Sequence, residues 1–426
     1  STEEVAAVVK VCAASNTPMV PQGGNTGLVM GSTPDSSGRE VVLSLQRLNA
    51  VRQIDKANGT FTAEAGCVLQ HLQQVADQAG MLFPLSLASE GSCTIGGNLA
   101  SNAGGTQVLR YGNARDLCLG LEVVTPHGEV WHGLSGLRKD NTGLDLRNLF
   151  IGSEGTLGVI TAATLKLFPQ PAAVLTAWAA VPSVQAAVDL LGLAQGQMGA
   201  GLTGFEMMSQ VALGLVSKHM PQLNIPFWQE TPYGVLLELS DTDSEAHAQA
   251  QLERLLEVGI TQGFVQNAVV AQSIAQSREL WHVRESISMS QAAEGLNIKH
   301  DIALPVSAIP AFVNHTDALL AKAVPGVRLV NFGHLGDGNL HYNVQCPLHA
   351  DAAAFLQTHE AQVNHLVYES VKSFNGSISA EHGIGRLKVD TLPHHKDPVA
   401  MTMMRSIKQA LDPKNLMNPG RVLGRM

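Results

Sequence analysis

Apolar positions in the first 170 residues fall into short runs separated by Gly, Asn and Ser clusters, a pattern that predicts short strands and many loops. Val41–Leu45, Phe61–Ala65 and Leu119–Thr125 read as strands, and Val68–Ala79 reads as a helix between two of them. The chain opens directly on a helical pattern, with Val5, Val8, Val9 and Cys12 on one side and Ser1 or Thr2 available to cap it. No charged-then-apolar leader comes before it, and so abrupt a start implies residues ahead of Ser1.

A proline-marked boundary follows at Pro169-Gln170-Pro171. From there to Leu348, helical patterns (Val184–Ala194, Ser244–Val258, Ile309–Ala323) alternate with strand patterns (Tyr233–Leu239, Arg328–Phe332). The most apolar stretch, Ala172–Ala194, is interrupted by Pro182, Gln185 and Asp189 and so reads as core, not as a membrane span. A helix over Ala352–Ser373 and a basic C-terminal piece close the chain. The expected class is α+β, in three stretches: residues 1–170, 171–350 and 351–426.

Composition narrows the function. With 45% hydrophobic and 15% charged residues, the 426-residue chain can build more than one core and is not disordered. Its net charge is −9 and its 27 Lys and Arg form no basic block, which disfavours nucleic acid. The five cysteines include no C-x-x-C pair, so they read as reduced core residues of a cytoplasmic protein.

Two glycine-rich runs carry the first chemical signal. Pro21-Gln22-Gly23-Gly24-Asn25-Thr26-Gly27 follows an apolar run, and Ser92-Cys93-Thr94-Ile95-Gly96-Gly97-Asn98 leads into Ser101-Asn102. Glycines let backbone N–H groups approach phosphate oxygens closely. Neither run fits the dinucleotide G-x-G-x-x-G or the phosphate-loop pattern, so NAD and ATP lose support. Either run alone can be an ordinary turn. Together they favour another dinucleotide.

His334-Leu335-Gly336-Asp337-Gly338-Asn339-Leu340-His341 is the second signal. A two-residue turn at Asp337-Gly338 would put His334 directly opposite His341, where two imidazoles can chelate one divalent metal, with Asn343 on the same face. The bland alternative is a surface hairpin with two polar histidines. A later strand-like run, Ser377–Ala380, ends in Glu381-His382. Glu381 can add an oxygen ligand and His382 can serve as general base. Arg284 and Ser288 lie four apart on a helical pattern ahead of Lys299, and the two cations suit carboxylates, although charge statistics favour plain solvated side chains.

The segments PQGGNTGL, GSCTIGGNLASNAGG and IGSEGTLGVITAATLKL resemble the flavin domain of the vanillyl-alcohol oxidase and p-cresol methylhydroxylase superfamily. This implies a p-cresol methylhydroxylase-type FAD-binding domain, an α+β substrate (cap) domain with an antiparallel sheet, and a C-terminal helical segment that completes the active site. It implies FAD contacts from Pro21, Gly23, Gly24, Asn25, Thr26, Gly27, Leu28, Ser92, Ile95, Gly96, Gly97, Asn98, Ser101, Asn102, Ile160 and Asn418. The first loop has no His or Cys, so the flavin is expected to be non-covalent.

GHLGDGNLHYN, SAEHGIGRLK and LDPKNLMNPGRV are similar to the FAD-linked dehydrogenases of D-2-hydroxy acids. The resemblance spans Glu3 to Val422, and the opening helical pattern matches a point inside the family's flavin domain. It implies metal ligands His334, His341 and Glu381, with zinc as the expected ion, and His382 as base. Arg284, Ser288 and Lys299 fit the hydroxyglutarate branch, with Ser288 in place of a threonine, and Asn343 joins the substrate set. The expected reaction is oxidation of D-2-hydroxyglutarate, ahead of D-malate and D-lactate, with electrons passed to an electron-transferring flavoprotein or a quinone. The rival expectations are a metal-independent FAD alcohol oxidase or lyase-type relative, and a non-catalytic metal-binding or electron-transfer protein. A homodimer is the default assembly.

Overall fold

The computed structural model describes residues 1–424. The chain divides into two compact units, one of residues 1–105, 111–170 and 381–426, the other of residues 106–110 and 171–380. The 351–426 stretch is thereby shared: its long helix belongs to the second unit and everything from Glu381 onward to the first.

The first unit begins with helix α1 (Thr2–Ser15), whose N-terminus is closed by a reciprocal capping box between Ser1 and Glu4. A short parallel pair follows, β1 (Met19–Gln22) with β2 (Val41–Ser44). Five antiparallel strands form the main sheet: β3 (Val51–Asp55), β4 (Thr60–Glu64), β5 (Cys118–Val124), β6 (Val130–Gly133) and β7 (Val159–Lys166), in spatial order β3-β4-β7-β5-β6. Helices α2 (Leu69–Gln78) and α3 (Ile95–Ser101) share a core with β4, β5 and β7 through Leu69, Leu72, Ile95, Leu99, Phe61 and Leu121. Gly96 makes this packing possible, because a Cβ there would lie 2.6 Å from that of Ala65. After the C-terminal helix Pro398–Leu411, buried Lys408 donates to Asp412 and to the carbonyls of Thr156 and Met417. That clamp holds Leu416 and Met417 beside β1, where Met19 N–H donates to Leu416 O at 2.7 Å.

The second unit is an eight-stranded antiparallel sheet backed by helices. Its strands are β8 (Ala173–Val181), β9 (Leu202–Ser209), β10 (Tyr233–Asp241), β11 (Asn267–Val270), β12 (Asn297–Ile298), β13 (Asp301–Ala303), β14 (Arg328–His334) and β15 (Asn339–Gln345). Their order is β11-β8-β10-β9-β14-β15-β12, with β13 also on β15. Helices α4 (Val184–Met198), α5 (Glu245–Thr261), α6 (Ile274–Glu294), α7 (Ile309–Ala323) and α8 (Ala352–Ser373) start on side-chain caps at Ser183, Ser244, Ser273 and Asp351 in all but α7, where proline stands in the first turn. The apolar stretch Ala172–Ala194 becomes central strand β8 and the first turns of α4. No helix among the described residues is long and apolar enough to cross a membrane.

Two local expectations are corrected. The connection between β14 and β15 is not a two-residue turn. Leu335–Asp337 forms a 3-10 turn closed by Gly338 in the left-handed region (φ 85°), and the register pairs His341 with Phe332, not with His334. The slip is two residues, and side chains repeat every two, so His334 keeps the face of His341 on the diagonal. Ser377–Ala380 is not a strand either: only Ser377 bridges, to Ala303. All five cysteines are free and buried.

Candidate functional site

In the first unit, the Gly-rich loop after β1 and the N-terminal half of α3 wall a cavity of about 920 Å³, counting its mouth. Of the predicted cofactor contacts, Pro21, Gly23, Gly24, Asn25, Thr26, Gly27, Gly96, Gly97, Asn98, Ser101 and Ile160 line it. The others do not. Leu28 is exposed, Ile95 is fully buried in the core, and Ser92 lines a neighbouring hollow with His71. Asn102 ends α3 in a left-handed conformation and accepts from Arg115 N–H. Asn418 acts from behind, its amide donating to the carbonyls of Gly31 and Glu154, both lining residues.

The cavity exists because side chains are missing where the loop meets α3. A Cβ on Gly24 would lie 2.1 Å from Ser92 O, so the backbone passes there only as glycine, whereas a Cβ on Gly27 would meet nothing within 4 Å. Thr94 Oγ1 and Asn98 Oδ1 line this space buried and without a hydrogen-bond partner. Buried polar atoms are rarely left so, and this pair fits a hydrogen-bonding ligand such as FAD.

His382 reaches the same cavity, as does Glu154, a residue the sequence reading quoted inside its motif but did not single out. Burial pushes the Glu154 carboxyl up. Its two oxygens accept from Ile384 N–H at 2.7 Å and Gly385 N–H at 2.8 Å, fixing the turn that follows His382.

In the second unit the sheet places four ionisable residues in a row on one face. Glu206 on β9 pairs directly with His334 on β14; His341 on β15 pairs directly with Asp301 on β13. The two imidazole rings are 6.0 Å apart, and ring nitrogens of His334 and His341 lie within 4.8 Å of each other, as do those of His341 and an Asp301 carboxylate oxygen. A pair of histidine and acid ligand atoms at such spacing can share one divalent metal.

Glu206 is fully buried, and Oε1 accepts from His334 Nδ1 at 2.5 Å while Oε2 accepts from Arg284 Nε at 2.7 Å. Burial works to raise its carboxyl, but the close contacts with His334 and Arg284 outweigh it and hold the group at about 2. Arg284 comes from α6 and lays its guanidinium over the Phe332 ring, 5.2 Å from the centroid. It is therefore buried and paired, not a solvated cation. Among the described residues its Nη1 and Nη2 donate to nothing in the protein.

Ser288 and Lys299 are exposed. Asn343 shares the face of His341, but its amide is already engaged, accepting from His300 N–H and donating to Gln291 Oε1. Glu206 and Asp301 escaped the sequence reading. The available signal was an acid inside the apolar strand Phe205-Glu206-Met207, since unpaired Glu is almost never fully buried.

Residues 1–133 match the FAD binding domain family, and residues 170–422 match the C-terminal domain of FAD linked oxidases. The mitochondrial D-2-hydroxyglutarate dehydrogenase of Bos taurus is 40% identical over 423 residues, covering 99% of this chain and 75% of that protein. The D-2-hydroxyglutarate dehydrogenase of Xanthomonas citri pv. viticola is 40% identical over 424 residues, 99% of this chain and 87% of that one. Among solved structures, substrate-bound p-cresol methylhydroxylase superposes with a TM-score of 0.75 at 16% identity, covering 100% of this chain and 88% of that one. Alkyldihydroxyacetonephosphate synthase superposes at 0.70 and 17% identity, covering 98% and 74%. These two likenesses concern the fold alone.

Proposed function

Since this chain belongs to the FAD-linked oxidase family, together with the D-2-hydroxyglutarate dehydrogenases, and is an FAD-dependent oxidoreductase, we propose that it oxidises D-2-hydroxyglutarate to 2-oxoglutarate with the help of a divalent metal. The observation that carries the substrate choice is Arg284. It is buried, oriented through Nε by Glu206, and keeps two Nη groups for a planar acceptor. With the carboxylate next to the carbinol taken up at the metal, such a fork is left for a second carboxylate, which a dicarboxylate has and a monocarboxylate lacks. Lys299 adds a point charge, Ser288 a hydroxyl, and Asn343 an amide on the face of His341.

His334, His341 and Glu381 are the proposed metal ligands. Chain continuity supports the third: Ala380 N–H donates to Asp301 O, opposite His341, and Glu381 is the next residue. Two nitrogens and one oxygen suit zinc. A metal held there would supply Lewis acidity that lowers the pKa of the substrate hydroxyl. FAD, held without a covalent bond by the glycine-walled cavity, supplies the two-electron acceptor that takes the carbinol hydride.

The side chains do the rest. Arg284 holds the distal carboxylate, which fixes the direction in which the single carbinol C–H bond points. His382 takes the hydroxyl proton as general base, and Glu154 steadies the turn behind it. The substrate thus loses one proton to His382 and one hydride, and leaves as the 2-oxo acid. Electrons then pass to an acceptor such as an electron-transferring flavoprotein or a quinone.

The test is His382→Ala. The variant should bind FAD and zinc at wild-type stoichiometry, yet show no reduction of its flavin by D-2-hydroxyglutarate at neutral pH. Normal reduction would remove His382 from the role of base.

A further inference from the structure

The Glu206 carboxylate lies between two side chains to which the proposed function gives different tasks, and it addresses each with a separate oxygen. We propose that Glu206 is a positioning residue with two outputs: it keeps the proton of His334 on Nδ1, so that Nε2 presents its lone pair to a metal ion, and it aims the Arg284 fork by holding Nε. This rests on the reading of His334 as a ligand and Arg284 as a carboxylate anchor.

The geometry constrains both outputs. A carboxylate only accepts, so a neutral imidazole that approaches it through Nδ1 must carry its proton there. The other ring nitrogen is then the only one able to ligate, and the ring cannot choose the wrong tautomer. Arg284 always donates, so Oε2 serves it without competition. Glu206 cannot move away. It sits on a central strand, hydrogen-bonded on one side to β10 and on the other to β14, and no part of it reaches solvent. Its partners come from residues 78 and 128 positions away, so the arrangement depends on the whole sheet and α6.

Glu206→Gln separates the outputs. A glutamine offers one acceptor and one donor end to two partners that both now receive an acceptor. Arg284 cannot stop donating, whereas an imidazole can switch tautomer. The amide oxygen therefore stays with Arg284 and the amide NH2 turns to His334, where it donates to Nδ1 and moves the ring proton to Nε2. The metal ligand is lost while the carboxylate anchor is kept. A purely structural role would lower both together.

The experiment is 15N NMR of histidine-labelled, metal-free protein at alkaline pH, where the rings are neutral, with His334 assigned by its loss in His334→Asn. Wild type should show protonated Nδ1 and unprotonated Nε2, and Glu206→Gln the reverse. In parallel, zinc affinity measured by chelator competition should fall by about 10- to 100-fold in Glu206→Gln. The ratio of KM for D-2-hydroxyglutarate to KM for D-lactate should hold in Glu206→Gln and rise in Glu206→Ala, where the fork is no longer aimed. A wild-type His334 protonated on Nε2 would overturn the proposal, and that reading needs no variant to fold. An unchanged tautomer in Glu206→Gln would overturn it equally. Neither tautomer measurement involves substrate. A correct tautomer with no oxidation of D-2-hydroxyglutarate would therefore count against the substrate reading alone.

Discussion

The two units make room for ligands by opposite means. In the first, glycines open the cavity wall where the loop meets α3, and the neutral Thr94 and Asn98 line it there. In the second, the row Glu206, His334, His341 and Asp301 is made of ionisable side chains, each beside a partner of complementary charge or proton demand. A cofactor that supplies its own chemistry needs shape and hydrogen bonds from its host. A small hydroxy acid needs charge placed at particular points. One region is built by omission, the other by pairing.

The sharpest break of this comparison is Gly24→Ala. Its Cβ would collide with the Ser92 carbonyl, so the loop must leave α3, and the purified protein should lose its yellow colour and nearly all bound FAD. Zinc uptake should survive, and loss of both ligands at once would mean that the two are not held independently. Next comes His341→Ala, expected to retain FAD but to slow flavin reduction by about 1,000-fold or more, since Lewis-acid stabilisation is worth several kcal/mol. Full activity in that variant would make the reaction metal-independent. Arg284→Lys keeps the charge and loses the fork. KM for D-2-hydroxyglutarate should rise roughly 10- to 100-fold while D-lactate turnover changes little.

Smaller effects sharpen the contrast. Gly27→Ala adds a methyl to open space, so unfolding midpoints without FAD should match wild type within about 0.5 kcal/mol, while FAD affinity falls. Equal FAD affinity would mean that the ligand does not use that wall. The smallest effect is expected from the thiols of the first unit. Burial raises Cys67 to about 11 and Cys118 to about 12. A raised thiol pKa favours the protonated form in the fold. Its contribution to stability is therefore whole below the ordinary thiol range and is lost as pH climbs toward those values. At pH near 8 a thiol-specific reagent should label neither residue in the native protein and both after unfolding.

How much of this was legible in the sequence follows the same division. Omission leaves a local trace: Gly23-Gly24-Asn25-Thr26-Gly27 and Gly96-Gly97-Asn98 sit in consecutive positions, and these residues line the cavity. Strands and helices with strong periodicity were legible too, as with Ala352–Ser373 and Ile309–Ala323, both of which form as read. Pairing leaves little trace. Glu206 meets His334 across 128 residues and Arg284 across 78, distances over which no local pattern speaks. The Asp337-Gly338 turn was misjudged because its glycine closes a longer 3-10 turn, and the Cβ of a residue there would press on the Leu304 carbonyl at 2.2 Å. Tertiary packing of β13's neighbourhood, not local turn preference, chose the loop. The shared face of His334 and His341 survived only because the error was an even number of residues.

The central claim is tested most directly by anaerobic stopped-flow mixing of the FAD- and zinc-loaded protein with D-2-hydroxyglutarate, D-malate and D-lactate, following flavin absorbance. The account predicts fast bleaching by D-2-hydroxyglutarate, abolished by chelation and weakened in Arg284→Ala through a higher half-saturating concentration. Bleaching by D-lactate alone, or none by any D-2-hydroxy acid, would contradict it.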